Sequence, residues 1–416
     1  MRNLLLTVLF AALHGDIPAL ATEAEANVKR VGSLTLDQAL EMAESIQPEL
    51  AEAKAMVEAA AGRAQQAGTL PNPEAILGAQ QIPFSGNAPN EKEYVAGVAQ
   101  TIPLSRRLSK AREAELLERE VRVRGLEVKR RDIRRRVHSA FATALYQEKA
   151  FQTESEIVQN SRKAVATTQA RLNAGDALPE DVARVEMEFA RAKVGLTRSA
   201  ALRQQSMAVL TSAIGDPALV VTSLAGSLDA VFEIPTLESL AAGLSVHPEI
   251  ALAGAEARAK SARIDLAKAE RIPDVRVEAL YHRLEASREN TVDVGLSIPV
   301  PLFNRNQGRL REARAEVVAA AARSRSTQNE LSLLLRESYV ELTTSLANSR
   351  TLKTEILSRA EKVLNTAEAR YAAGDISLTE ILPVRRDWAA IQLDYLESLR
   401  DVMQAWAELL SLTSQE

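Results

Sequence analysis

The 416 residues include no cysteine. Disulfides, thiolate metal sites, cysteine nucleophiles and cysteine-borne lipids are therefore excluded. Aromatic residues make up only 4% of the chain although 46% is hydrophobic, most of that Ala, Leu and Val. Such a composition suits narrow helix–helix seams better than a thick globular core. Charge of one sign is also missing. The formal balance is −4, which argues against a general nucleic-acid partner. No HExxH, Walker loop, GxGxxG or nucleophile elbow occurs. His138, His247 and His282 stand too far apart to form a ligand spacing. The expectation is a chain with no catalytic centre, no metal site and no cofactor.

Proline and glycine are absent where they would matter most. No proline lies within 104–178 or within 302–382, and the only glycines before Gly175 and Gly374 in these runs are Gly125 and Gly308. Ala, Leu, Glu, Arg and Gln fill them, and these residues favour helix. Each run predicts about 70 helical residues, or roughly 100 Å at 1.5 Å per residue. No ordinary globular domain is that wide, so the chain builds a tube, a rod or a coiled coil. Long apolar runs are lacking too. The exception is the start, where Arg2, an apolar core from Leu4 to Leu13, and Ala19-Leu20-Ala21 behind Pro18 read as a signal peptide over residues 1–21. If the mature chain crosses a membrane, it does so as strands.

What the chain does contain is written twice. Gln47-Pro48-Glu49-Leu50 recurs as His247-Pro248-Glu249-Ile250, 200 positions on. Thr101-Ile102-Pro103 recurs as Ser297-Ile298-Pro299, and the stretch ending in Asn173-Ala174-Gly175-Asp176 recurs as the one ending in Ala372-Ala373-Gly374-Asp375. The repeats are assigned to residues 34–215 and 235–413, with a linker at 216–234. Each reads helix, strand, strand, long helix, turn, helix. The shorter first helix of each repeat is expected to stack end to end with the returning one, because the long helix is nearly twice its partner.

The strands show alternation with period two. Val275, Val277, Ala279 and Tyr281 alternate with Arg276, Glu278, Leu280 and His282, and Val292, Val294, Leu296 and Ile298 alternate with Thr291, Asp293, Gly295 and Ser297. In the first repeat Tyr94, Ala96, Val98 and Ile102 share a face, with Gln100 the polar exception, and the stretch 74–82 alternates poorly. An amphipathic hairpin of a soluble protein has the same pattern. Four such strands cannot close a membrane barrel alone, because open edges are intolerable in lipid. Insertion therefore demands an oligomer, eight strands from two chains or twelve from three. The face carrying Arg276, Glu278 and Asp293 is then the expected barrel lumen.

Three marks, duplicated and in order, carry a resemblance over nearly all the mature chain. They are Val98-Ala99-Gln100-Thr101-Ile102-Pro103-Leu104, the run from Ser297 to Gly308 with its Pro301-Leu302-Phe303-Asn304, and the Arg-x-x-x-Gly turns at Arg171 and Arg370. In these the chain resembles the TolC family of outer-membrane channel proteins, and within it the CzcC-like heavy-metal-efflux branch. The resemblance implies a mainly α fold, a homotrimer with a twelve-stranded barrel in outer-membrane lipid, and a long α-helical barrel in the periplasm. It implies an exit duct serving an inner-membrane pump through a periplasmic adaptor, with the adaptor docking at Asn173, Ala174, Gly175, Asp176 and at Ala372, Ala373, Gly374, Asp375. It also implies an acidic periplasmic constriction, at Glu380 and, in the first repeat, Asp181. A second acidic position of the family pattern is Pro383 here, a departure that weakens a double acidic ring. The plainer reading of Glu380 and Asp181 is that of acids near a helix N-terminus, favoured by its dipole. The alternative to the duct is a periplasmic coiled-coil adaptor or structural rod that never enters a membrane. The basic stretch 119–136, interleaved with Glu120, Glu127 and Asp132, reads as a solvated helix face with i,i+4 pairs.

Overall fold

The computed structural model describes residues 30–82, 91–229 and 234–413. The proposed signal peptide, residues 1–21, and part of the proposed linker lie outside the described residues. In chain order the first repeat comprises β1 (Arg30–Leu34), α1 (Leu36–Ile46), α2 (Pro48–Ala67), β2 (Glu74–Gln80), β3 (Glu93–Ile102), α3 (Arg107–Ala174) and α4 (Pro179–Ile214). The linker carries β4 (Val220–Leu224), and the second repeat comprises α5 (Leu237–Gly243), α6 (Pro248–Ala269), β5 (Val275–Leu284), β6 (Asn290–Ser297), α7 (Gln307–Thr351), α8 (Ser358–Ala373) and α9 (Leu378–Leu412).

The 68-residue α3 realises the first proline-free run in one piece. The second run is different. A π-helical turn over Leu352–Leu357 joins α7 to α8, so the expected long helix runs on from Gln307 to Ala373 with one local change of bonding. A π turn widens the helix locally and drops the regular bonding. Its Lys353 reaches Asp229, in the segment before α5.

End-to-end stacking of short helices against each long one is observed, and it is held by matched bonds. In the first repeat Gln47 Nε2, at the cap of α2, donates to the Ala213 carbonyl at the end of α4 at 2.9 Å. In the second, His247 Nε2 lies 3.1 Å from the Ser411 carbonyl at the end of α9. His247 Nδ1 accepts from the Glu249 N–H at 3.3 Å. A carbonyl can only accept and an amide N–H only donate, so the ring is neutral with its proton on Nε2. Burial, followed by the nearby Arg131 charge, holds the His247 pKa below the ordinary value, against the raising effect of the Ser411 bond. The sign follows directly. Below an ordinary imidazole pKa of about 6.5 the unfolded chain takes up a proton that the native one resists, so stability falls as pH falls. His247→Gln, which copies Gln47, is expected to reduce the drop in thermal midpoint between pH about 7.5 and about 5.5. His138, also depressed by burial, keeps the remainder. An unchanged drop in the variant would remove His247 from the account.

The long helices bury apolar seams at helical spacing. Val137, Phe141, Ala144 and Leu145 of α3 pack with Leu40 and Ala43 of α1 and Leu210 and Ile214 of α4. Leu335 and Leu342 of α7 pack with Val402 and Leu409 of α9 and with Leu240 and Leu244. Each such leucine contributes roughly 1.5–3 kcal/mol through burial. Two findings were not expected. β1 and β4 form a parallel pair, Arg30 opposite Val220 and Leu34 opposite Leu224, β1 where the first repeat begins and β4 inside what reads as linker. The basic stretch of α3 also reaches beyond its own helix. Asp132 does pair with Arg136 at i,i+4, but Lys129 and Arg136 both bind Glu49 of α2, Arg134 binds Glu44 of α1, and Arg135 binds Glu408 of α9. The face is a zipper between helices as well as a solvated surface.

Candidate functional site

Three regions bear on function: the sheet, the two helical turns, and the helices between them. The four strands form one antiparallel sheet in the order β2-β3-β5-β6. Its centre is the β3–β5 pair, Glu93 opposite Leu284 through Ile102 opposite Val275, so the two repeats are joined strand to strand. Among the described residues β2 and β6 each have one neighbour. The outer edge of each carries backbone donors and acceptors available to another chain.

Directly opposed residues share a face. The registers therefore collect Ala75, Leu77 and Ala79; Tyr94, Ala96, Val98 and Ile102; Val275, Val277, Ala279 and Tyr281; and Val292, Val294 and Leu296 on one side. That side is apolar apart from Gln100, Arg283 and Asn290, and largely bare: Leu77 is 82% exposed, Val294 78% and Leu296 68%. An apolar band of this kind in water is a liability unless something covers it. The other side holds Arg276, Glu278 and Asp293, the three expected lumen residues, together with Glu74, Glu93 and His282. Arg276 binds Glu74 at 2.7 Å and lies 3.6 Å from Glu278. His282 contacts Glu93 through Nδ1, and its Nε2 is 3.3 Å from Asp293. The Arg276–Glu74 pair thus ties β5 to β2, and His282 of β5 touches carboxylates of β3 and β6 on this side. Among the described residues no group of His, Asp and Glu is placed to hold a metal ion.

Far along the chain from the sheet, the two turns are near copies. Asn173 and Ala174 end α3, and Gly175 follows at φ 87°; Ala372 and Ala373 end α8, and Gly374 follows at φ 84°. A left-handed residue there suits glycine, and the next amide closes the helix. Asp176 N–H bonds the Arg171 carbonyl at 2.8 Å and Asp375 N–H the Arg370 carbonyl at 2.9 Å. All eight turn residues are exposed. The two hairpins pack on each other through Val185, Ala367, Leu378 and Ile381, with the Arg171 guanidinium 5.4 Å over the Tyr371 ring.

Glu380 and Asp181 both occupy the third position of their helices and both act as caps. Glu380 Oε2 accepts from the Ser377 N–H and from its hydroxyl, each at 2.8 Å, and these bonds lower its pKa, the backbone one first. Asp181 accepts from the Leu178 N–H at 3.1 Å. Leu178 has no side-chain acceptor to complete a reciprocal box. Capping is therefore the role the contacts display. Pro383 stands inside α9 without ending it, at the sixth helical position, where the absent N–H removes the i→i−4 bond to the Thr379 carbonyl. Sequence reading passed over Arg385 and Arg386, two to three residues beyond. Arg385 grips Glu368 through two bonds at 2.7 and 2.8 Å, and Arg386 lies 4.0 Å from Glu188. Their adjacency after Pro383 was the available signal. A cavity of about 660 Å³ separates α3–α4 from α8–α9, with Leu364, Leu382, Trp388 and Leu393 among its walls.

Long helices carrying a small sheet with one bare apolar face and two open edges define a membrane-channel protomer. No helix among the described residues is long and apolar enough to cross a membrane. The sheet is the part fitted to lipid. The chain belongs to the outer membrane efflux protein family, whose sequence model matches residues 39–216 and 242–415. It is 26% identical over 374 residues to the cobalt-zinc-cadmium resistance protein CzcC of Cupriavidus metallidurans, covering 90% of this chain and 88% of that protein. Among solved structures it resembles a membrane protein from Pseudomonas aeruginosa, with TM-score 0.76, 19% identity, and 91% and 93% of the two chains covered. It also resembles the open state of the Neisseria gonorrhoeae MtrE outer membrane channel, with TM-score 0.75, 18% identity, and 91% and 88% covered. The fold is that of a helical barrel joined to a β-barrel segment. The protein is an outer-membrane efflux channel, with its helices in the periplasm. The family consists of ducts rather than enzymes; its members are homotrimers that work with periplasmic adaptors and inner-membrane pumps.

Proposed function

We propose that three copies of this chain close a twelve-stranded barrel, β6 of one pairing with β2 of the next, and that the resulting duct releases heavy-metal cations. The observation that carries this reading is the four-stranded sheet with two unpaired edges and an exposed apolar face. Closure satisfies the edges, and lipid covers the face. A rod that never met a membrane would have no use for either. The polar side, with Arg276, Glu278 and Asp293, then lines water. Cargo class is supported by the similarity to a protein named for cobalt, zinc and cadmium resistance. Energy comes from the pump, and the exposed turns at 173–176 and 372–375 are where the adaptor hairpin docks. The two repeats, 34–215 and 235–413, each supply half the strands and one turn.

At the periplasmic mouth, Glu380 and Asp181 give each protomer two carboxylates near its turns. Capping leaves the Glu380 charge in place and exposed, so three copies attract cations most strongly at low salt. Purified protein in planar bilayers is expected to conduct as a trimer and to prefer cations. Glu380→Gln is expected to lower that preference at low salt with little change in total conductance. Selectivity untouched by the substitution would assign Glu380 to helix capping alone. Cells lacking the chain are expected to lose tolerance to zinc, cobalt or cadmium; tolerance unchanged for all three would remove the metal reading and leave the duct.

A further inference from the structure

We infer that each protomer carries a binding site for an anionic phospholipid of the periplasmic leaflet, built where the sheet gives way to the helices. The inference rests on the barrel reading above and goes beyond it. A surface cavity of about 410 Å³ lies at this junction, walled by Lys268, Arg271, Ile272, Pro301 and Arg305. Two chain segments meet there, the end of α6 and the loop from β6 to α7. They are fixed to each other. Asn306, at φ 57°, donates through Nδ2 to the Ala267 carbonyl at 2.9 Å and to Glu270 at 3.1 Å. Asparagine tolerates that left-handed conformation, so the loop is held against α6 before any ligand arrives.

The charge at this cavity is unbalanced. Lys268 is paired with Asp265 and Arg309 with Glu270, but Arg271 and Arg305 make no ion pair among the described residues. Both are exposed. Beside them the loop is apolar and uncovered: Val300 is 73% exposed, Leu302 64% and Phe303 91%. These residues continue directly from β6, whose Val292, Val294 and Leu296 lie on the lipid-facing side. Cations beside an apolar, aromatic strip match a phospholipid, with phosphate on the guanidinium groups and acyl chains along the strip.

The helices lie in the periplasm, which places this junction at the inner leaflet. A neighbouring protomer is the competing occupant. Pairing of β6 with the next β2 would bring up the segment leading into β2, residues 59–73, which contains no Asp or Glu to meet the cations. The corresponding place in the first repeat is different as well. There Gly68 and Pro71 stand where the second repeat has Lys268 and Arg271, so the site occurs once per protomer.

The test titrates the detergent-solubilised trimer with short-chain phosphatidylglycerol, with phosphatidylcholine of the same length, and with inorganic phosphate, following the thermal midpoint. Phosphatidylglycerol is expected to raise the midpoint where the other two do not. Arg271→Ser/Arg305→Ser is expected to move half-saturation up about thirtyfold, at about fivefold per cation lost. Arg271→Lys/Arg305→Lys is expected to retain most of the effect. If the double serine variant fails to trimerise, Arg305→Ser alone carries the test, with the fivefold shift. Equal stabilisation by phosphatidylcholine, equal stabilisation by inorganic phosphate, or serine variants that titrate like the wild type would each overturn the site. Wild-type protein that inserts into vesicles yet ignores headgroup charge sinks this site alone. Protein that inserts into no vesicle sinks the barrel reading beneath it.

Discussion

Val294→Arg is expected to remove most of the protein from the outer-membrane fraction, while Thr291→Arg, three residues earlier in β6, leaves it there. Val294 sits midway along β6 on the bare apolar face, opposite Ala279. Thr291 pairs with His282 on the polar face. A charged arginine facing lipid at mid-depth costs about 2–4 kcal/mol per chain, and a trimer carries it three times, for roughly 6–12 kcal/mol. That is comparable to the whole stability of an ordinary domain. The same side chain in a water-filled lumen costs little. Membrane fractionation and trimer content decide the matter. If both variants insert equally, the two faces of the sheet have been assigned wrongly.

Gly215→Ala should be the more damaging of two outwardly similar changes, the other being Gly175→Ala. Both glycines end a helix in the left-handed region, at φ 100° and 87°. Placing alanine there costs about 1–2 kcal/mol in either position. Around Gly175 a Cβ would meet nothing within 4 Å, whereas at Gly215 it would stand 2.8 Å from Gln47 Cα and 3.1 Å from Pro48 Cδ. That contact is the butt joint between α4 and α2. Relieving the overlap adds about 1–3 kcal/mol, so Gly215→Ala is expected to cost about 2–5 kcal/mol in all. Thermal unfolding of the solubilised trimer reads the difference. Equal losses at the two glycines would mean that the joint yields freely and does not hold the helices in line.

The stacked helices and the turns were legible because their causes are local. Removing proline and glycine from a run lets helix propagate until Gly175 or Gly374 stops it, and a residue's neighbours suffice to say so. Alternation over 275–281 and 292–298 likewise placed the strands and sorted their faces. The parallel β1–β4 pair was missed because each strand has five residues and its partner lies about 190 positions away. No local pattern marks such a pairing. The π turn was missed for the opposite reason: Leu352–Leu357 has the composition of any other helical turn. Within the candidate site, Glu380 and Asp181 were picked out by position, but only the hydrogen bonds show that each carboxylate already serves its own helix. The Glu368–Arg385 fork behind Glu380 joins α8 to α9, and spacing along one helix could not reveal it.

By itself, then, the order of residues determined that this chain is two copies of a long-helix hairpin with strands at one end, since periodicity and breakers act within a few positions. Only the tertiary structure decided that β3 meets β5, leaving β2 and β6 as open edges, and that the basic stretch of α3 is shared with α1, α2 and α9. Those outcomes depend on which surfaces arrive opposite one another once the helices have stacked. That is settled by the packing of the assembled chain and by no single stretch of it.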